Sequence, residues 1–569
     1  MNKKSGIKEV LRGIPAIILA AVTVFSLAGC ENATTENSEK ANALSYDDAV
    51  KELDVLAGQV KVTQADQKLD MDMEENSVAS SLASIDTFPL TTKGNGDINI
   101  EIAGATEISA EDAPDNWLNV IAERFNNEHK TIDGHTVTVS VRKITSGEVV
   151  TYMADGGYQP DLYIPSNDIW GKMLDADGIE TEKLTDRLIG NTAGILMKES
   201  TYETFKEKYG DVTVGNVLKA ANAGDLVFGY TNPYTSSTGI NILTAMLASF
   251  DSSNPLSENA VSQLTEYQKK SPTAAYTTAV LKDSASKGII DAMVMEEQAY
   301  INTAELKSYQ YVPQGVRHDH PVYTFGYVTD EKKQAGKMFV DYCMTEESQD
   351  LATKDGFNRH DEYQSQDSGL DGAGYLAAQR TWKQNKNGGN PVAAVFVADT
   401  SGSMNGTKLI SLKKSLLNTM QYIDSSNYIG FVDFNDNVTE DLPIAQFDDK
   451  QRSYFSGAVK NLQASGSTAT YNAVLVAMKM LNDYKKQAPN AKLMLFVLSD
   501  GEQNQGFTLN RIEGIVGGMN VPVYTIGYEM EDSGAAELKK LSSINEASSI
   551  NASSEDVVNA LRNLFNVNL

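Results

Sequence analysis

Cysteine is nearly absent from this chain: Cys30 and Cys343 are the only two in 569 residues. Histidine is almost as scarce, at five, and tryptophan numbers three. Positive charge is also short, with 48 Lys and Arg against 76 Asp and Glu for a formal charge of -28. Such a field repels phosphate backbones and attracts cations, which argues against nucleic acid as a partner. Long apolar runs are missing as well. The stretch Ile14–Leu27 is too short for a bilayer span, which takes roughly twenty residues, and a mean hydropathy of -0.31 excludes a polytopic membrane protein. There is no Gly-x-Ser-x-Gly elbow, no complete phosphate loop, no His-Glu-x-x-His and no fixed-period repeat. No base or nucleophile with a partner shows itself, so the expectation is a binding protein and not an enzyme. What the chain does have is 41% hydrophobic and 8% aromatic residues, enough for several packed cores.

The first thirty residues carry an address. Lys3, Lys4, Lys8 and Arg12 stand against Glu9, an apolar run follows, and small residues lead to Leu27-Ala28-Gly29-Cys30. That is a secretory signal by construction. Leu-Ala-Gly-Cys resembles the lipobox of bacterial lipoproteins, which implies that 1–29 are removed and that Cys30 is acylated as the new N-terminus. The implied location is the bacterial cell membrane, lipid-anchored and facing the extracellular or periplasmic side. Loss of a leader of charge +3 would deepen the net charge from -28 to about -31. Cys343 would then be the sole thiol, read as a small core residue, and stability would rest on packing without a disulfide.

Residues 30–95 read as a flexible tether, poor in aromatics and rich in polar residues. Val50, Leu53, Val55 and Leu56 predict one amphipathic helix within Tyr46–Val60. Asp70, Asp72, Glu74 and Glu75 form an acidic cluster without calcium-loop spacing, hence a solvated face. Strand and helix patterns then alternate over 96–360, including Asn99–Ala103, Asn116–Asn127, Val137–Val141 and Asp161–Ile164. This signals an α/β domain. Residues 361–389 read as a linker, with a helical stretch around Tyr375, Leu376 and Trp382. A second doubly wound α/β domain fills 390–569, opening on the apolar strand Val392–Val397.

Asp399-Thr400-Ser401-Gly402-Ser403 follows that strand directly, where ligands bind in doubly wound sheets. Ser465-Gly466-Ser467-Thr468 precedes a helix, and Ser499-Asp500-Gly501 ends another apolar strand. All are oxygen donors, which suits Mg²⁺ or Mn²⁺, with Ca²⁺ the further oxygen-preferring candidate, and argues against zinc. The alternative is a helix cap, since the same residue types cap helices. At these positions the chain resembles the von Willebrand factor A domain with its metal-ion-dependent adhesion site. The resemblance implies metal contact by Ser401, Ser403 and Thr468, with Asp399 and Asp500 acting through water.

In the first domain, Phe228 to Ile240 reads as a strand, a hydroxyl-rich turn (Thr235-Ser236-Ser237-Thr238) and a helix start. Hydroxyls and free N–H groups there suit an anion or polar ligand, or they serve as a cap. No Arg or Lys is adjacent in sequence. This turn and Gly336–Phe357 look like the bilobed type 2 solute-binding proteins of bacterial transporters. The likeness implies that Thr235, Ser236, Ser237 and Thr238 line the cleft, joined by Thr145-Ser146-Gly147 and Ser166-Asn167, and that Gly336–Phe357 closes the second lobe. His318-Asp319-His320 reads as a solvated loop. Two functions follow as expectations. One is a surface-anchored lipoprotein that binds a protein partner or other acidic ligand through a divalent metal, with a small solute in the first domain. The other is the receptor of an ABC-type transporter carrying an accessory A domain.

Overall fold

Three sheets organise the chain, and each forms where apolar residues recur at strand spacing. The computed structural model describes residues 44–70, 82–270 and 278–569, apart from 287, 289, 502, 529, 531, 546, 548 and 553–555. Residues 1–29, Cys30, Asp72, Glu74 and Glu75 lie outside it. The strands are β1 (Val62–Gln64), β2 (Leu90–Thr92), β3 (Ile98–Gly104), β4 (Thr131–Ile132), β5 (His135–Lys143), β6 (Leu162–Ile164), β7 (Thr181–Thr185), β8 (Thr192–Lys198) and β9 (Phe228–Gly229). They continue with β10 (Ala292–Glu296), β11 (Tyr309–Arg317), β12 (Val322–Phe325), β13 (Val392–Asp399), β14 (Tyr428–Phe434), β15 (Val438–Gln446), β16 (Lys492–Ser499), β17 (Val523–Tyr528) and β18 (Ser549–Ala552). Among the described residues, no helix is long and apolar enough to cross a membrane.

The first domain has two lobes. One is built on the order β2-β5-β3-β6-β12-β7, with β4 beside β5, and the other on β11-β8-β10-β9. The chain crosses between them from β7 to β8 and returns from β11 to β12. In the first lobe Ile98, Ile100 and Ile102 of β3 pack with Trp117, Ile121 and Phe125 of the helix Trp117–Asn127. Cys343 is buried in this core, as read from the sequence. The Gly336–Phe357 segment closes this lobe and not the second. Phe339, Ala352 and Phe357 join its core, and the Trp117 indole donates to the Ser348 carbonyl at 2.9 Å.

The last domain carries the order β1-β15-β14-β13-β16-β17-β18. All eight residues of β13 are buried, because helices cover both faces. Strands β13, β14, β16, β17 and β18 run parallel, and β15 is antiparallel to β14. The architecture is thus mixed α/β: a bilobed domain followed by a doubly wound, Rossmann-like one.

Two segments expected to be loose are packed. Residues 44–70, read as tether, strap onto the last domain. The helix Tyr46–Ala57 buries Ala49, Leu53 and Leu56 but leaves Val55 exposed. It approaches so closely that a Cβ at Gly518 would meet the Leu44 carbonyl. Strand β1 then adds to β15 in parallel register, Val62 opposite Val438. Asp70 accepts from Ser456 Oγ at 2.6 Å and Lys460 Nζ at 2.5 Å, so it is no solvated acid. The 361–389 linker contains the helix Gly372–Asn385, whose Tyr375, Ala378 and Trp382 enter a core shared by the two lobes. The Trp382 indole donates to Tyr230 Oη at 2.8 Å.

The C-terminal helix Asp556–Asn568 lies between the domains. Val567 belongs to the core shared by the two lobes, while Leu561, Leu564 and Phe565 pack under the last sheet. Arg562 is paired with Glu148 of the helix Ser146–Ala154, both side chains almost wholly buried. Its guanidinium also lies 5.6 Å from the Tyr152 ring, and Tyr152 Oη donates to Asn559 Oδ1 at 3.2 Å. Removing one member of a buried pair strands the other charge, a loss of about 3–5 kcal/mol. Urea unfolding should therefore show Arg562→Met to be strongly destabilised, and Glu148→Gln with Arg562→Met together less so than Arg562→Met alone.

Candidate functional site

The carboxyl end of β13 is a topological switch point, because β14 lies on one side and β16 on the other. Asp399 ends β13 and is fully buried. Its Oδ1 accepts from the Ser401 amide at 2.8 Å, and its Oδ2 from Ser499 Oγ at 2.5 Å. Ser401 Oγ lies 3.0 Å from Ser403 Oγ, which in turn donates to Asp500 Oδ1 at 2.8 Å. The Gly402 amide bonds the Gly466 carbonyl at 3.0 Å and so ties the first loop to the loop bearing Thr468. All five candidates, Asp399, Ser401, Ser403, Thr468 and Asp500, therefore belong to one loop cluster.

These side chains do not serve as helix caps. Ser401 stands at the start of a single 3₁₀ turn, Gly402–Met404, without a side-chain cap bond, Ser403 lies within that turn, and the helix Thr407–Thr419 starts only after Gly406, without a side-chain cap. Sequence reading missed the groups that position the cluster. Asn504 Oδ1 accepts from the Thr468 amide at 2.9 Å, and Asp436 Oδ1 from the Ser467 amide at 3.0 Å. Lys408 Nζ sits 2.7 Å from Asp500 Oδ2 and supplies positive charge at the mouth. Burial pushes the Asp399 carboxyl up to about 6, with Asp500 adding to the rise. The donors are carboxylates and hydroxyls only, so the set fits a hard divalent cation whose charge would offset that burial.

The second candidate is the cleft between the lobes, about 530 Å³ in volume. Thr235, Ser236, Ser237 and Thr238 line it, with Thr145, Ser146 and Ser166; Asn167 does not. Ser236 caps the helix Ser237–Phe250 through the Gly239 amide, and its hydroxyl bonds Thr231 and Thr238 at 2.7 and 2.9 Å. The lobes touch: the Gly147 amide donates to the Thr235 carbonyl at 3.3 Å, and the Trp170 indole to Ser237 Oγ at 2.8 Å.

Residues 394–566 match the family model of the von Willebrand factor type A domain, and residues 107–358 match that of the bacterial extracellular solute-binding proteins. The chain joins a solute-binding domain to a von Willebrand factor A domain. Over 149 residues it is 28% identical to inter-alpha-trypsin inhibitor heavy chain H3 of Bos taurus, covering 24% of this chain and 16% of that protein. Over 170 residues it is 29% identical to heavy chain H1 of Sus scrofa, covering 27% and 18%. The match thus spans less than a fifth of those curated relatives. Among solved structures, a periplasmic thiamin binding protein aligns at TM-score 0.38 and 11% identity, over 52% of this chain and 99% of its own. A von Willebrand factor type A protein from Catenulispora acidiphila aligns at 0.28 and 19%, over 31% and 42%.

In the solute-binding domain, the His318-Asp319-His320 segment is no solvated loop: both imidazoles are wholly buried where the chain returns between the lobes. His318 Nδ1 lies 2.6 Å from Glu296 Oε1. Asn241 is fixed by two bonds to the Val316 backbone, at 3.0 and 2.9 Å, and presents its NH₂ to His318 Nε2, as does Asn167. Nε2 is therefore an acceptor, the ring is neutral, and Nδ1–H donates to Glu296. Burial agrees, holding His318 down at about 3. His320 Nε2 meets Glu107 Oε1 at 3.1 Å, and Ser166 donates to the same oxygen. Burial opposes both charges of that pair, yet their mutual bond lifts His320 and lowers Glu107. Glu107 and Glu296 line the cleft, as do Lys143 and Lys282, so the hydroxyl turn has the basic neighbours that its own sequence lacks.

In the A domain, Thr400 turns away from the cluster and donates to Asp433 Oδ1 at 2.9 Å. Burial first, and Asp433 second, hold the nearby Asp441 carboxyl well above the usual carboxylate range. An acid raised in the fold weakens the native state increasingly as pH climbs past its unfolded value of about 3.9. Asp441→Asn removes that loss. Its melting temperature relative to the parent should rise between pH 4 and pH 8, as followed by calorimetry; an unchanged difference would refute the raised Asp441 carboxyl.

Proposed function

We propose that this chain is a lipid-anchored binding protein of the bacterial surface whose A domain holds a divalent cation, Mg²⁺ or Mn²⁺, and through it a protein partner or other acidic ligand. The observation that carries this reading is the gathering of Ser401, Ser403, Thr468, Asp399 and Asp500 at one switch point, with the hydroxyls not spent on capping. Two carboxylates only balance a divalent charge, so a bound ion would supply an electrophilic centre for a carboxylate from the partner. Asn504 and Asp436 would keep the Thr468 loop in place. The solute-binding domain would add recognition of a small solute, and Cys30 would be the point of lipid attachment. The reading as a transporter receptor is favoured by one observation, the cleft between two lobes that touch.

The deciding experiment is capture of a surface partner by the full chain in Mg²⁺, with and without EDTA. Capture should fail in EDTA, in Asp399→Ala and in Thr468→Ala, while the melting temperatures stay near the parent's. Chelator-insensitive capture would remove the metal from the account. Lys408 offers a second measurement. Its ammonium competes for Asp500, so Lys408→Met should bind Mn²⁺ roughly three- to tenfold tighter by titration, about 1 kcal/mol. Weaker binding would place Lys408 outside the competition.

A further inference from the structure

The cleft between the lobes is mixed in sign, and its unused groups point to a ligand class. Two helices of nine and fourteen residues, Ser146–Ala154 and Ser237–Phe250, begin at its wall and offer N–H groups and hydroxyls to an anion. Lys143 and Lys282 line the same wall; Lys282 Nζ donates to Thr303 Oγ1 at 3.4 Å, and among the described residues neither lysine is in an ion pair. A lone oxyanion would satisfy these groups but would face three acidic side chains, Glu107, Asp115 and Glu296, of which burial raises Asp115 and holds Glu296 well above the usual carboxylate range. Glu107 and Glu296 reach their His and Ser partners through Oε1 only. A lone cation would satisfy the carboxylates but would face the lysines.

A second feature asks for a hydrogen-bond donor. Gln298 lines the cleft and is wholly buried; its Nε2 donates to Asp115 Oδ1 at 2.8 Å, yet its Oε1 has no partner. Buried amide oxygens are rarely left bare, so one in a ligand cleft marks where a ligand N–H would act. The Thr145 hydroxyl, also in the wall, has no partner either.

Resting on the solute-binding reading of this domain, we propose that the cleft takes a small zwitterion of the α-amino-acid type. Its ammonium is received by Glu107, Glu296 and Gln298, and its carboxylate by the Thr145-Ser146 and Thr235–Thr238 turns with Lys143 and Lys282. The ligand has no net charge, which matches a cleft that offers carboxylates and ammonium groups together. Cleft volumes of several hundred Å³ suit ligands of this size with ordered water.

The test uses the full chain and four probe sets: the twenty common α-amino acids, sulfate with molybdate, putrescine, and glucose. Thermal shift followed by calorimetric titration should find at least one amino acid that binds below millimolar concentration. Glu296→Gln and Lys143→Met should each weaken it tenfold or more. Lys143 is only half-buried, so that variant carries the test if Glu296→Gln does not fold. Binding of sulfate, molybdate, putrescine or glucose in place of amino acids overturns the zwitterion proposal and leaves the solute-binding reading standing. Binding of no probe overturns both. Amino-acid binding indifferent to both substitutions also overturns the proposal, because the charged wall would then not be the site.

Discussion

The C-terminal helix is where the two halves of this protein become one body. Arg562 from that helix and Glu148 from the first lobe are taken out of water together. Such a pair is a poor source of net stability but a strict condition on geometry, because neither charge tolerates the other's displacement. Around it the contacts are shared out: Val567 joins the core of the bilobed domain, Phe565 the last sheet, and Lys383 Nζ ties the linker helix to Asn566 Oδ1 at 2.8 Å. The helix Ser146–Ala154 that carries Glu148 also begins at the cleft wall. One short helix thus borders both the ligand cleft and the domain junction.

The two candidate sites use backbone and hydroxyl chemistry differently. In the A domain the serine hydroxyls bond each other and Asp500, and the helix beyond starts without them. In the cleft, by contrast, Ser236 is spent on capping and on Thr231 and Thr238, so the turn is in large part its own scaffold. The charged residues beside it are brought from distant parts of the chain and set the charge of the cleft wall.

This difference explains what could be read from sequence. The A domain's cluster was legible because each part is local: an apolar strand, then Asp-x-Ser-x-Ser; a Gly-Ser-Thr loop; a strand ending in Ser-Asp-Gly. The same holds for the cores of β3, β13 and β16, where periodicity is enough. The hinge histidines were misread because their partners, Glu107 and Glu296, lie far away in sequence and leave no local mark. The strap 44–70 was misread for the same reason. Its composition is that of a loose segment, and only strand pairing to β15 and packing against Gly518 order it. The linker helix was half legible, since Tyr375 and Trp382 announced a buried face but not which domain would receive it.

The strap has a mechanical meaning. Strand β1 is short and parallel to β15, which covers an edge that would otherwise invite another chain to pair. Tension applied along the polypeptide ahead of residue 44 would meet the packed helix Tyr46–Ala57 first and the pairing of β1 with β15 after it. The cleft lies further along the chain, beyond that seam, and is shielded from the pull until the seam gives way.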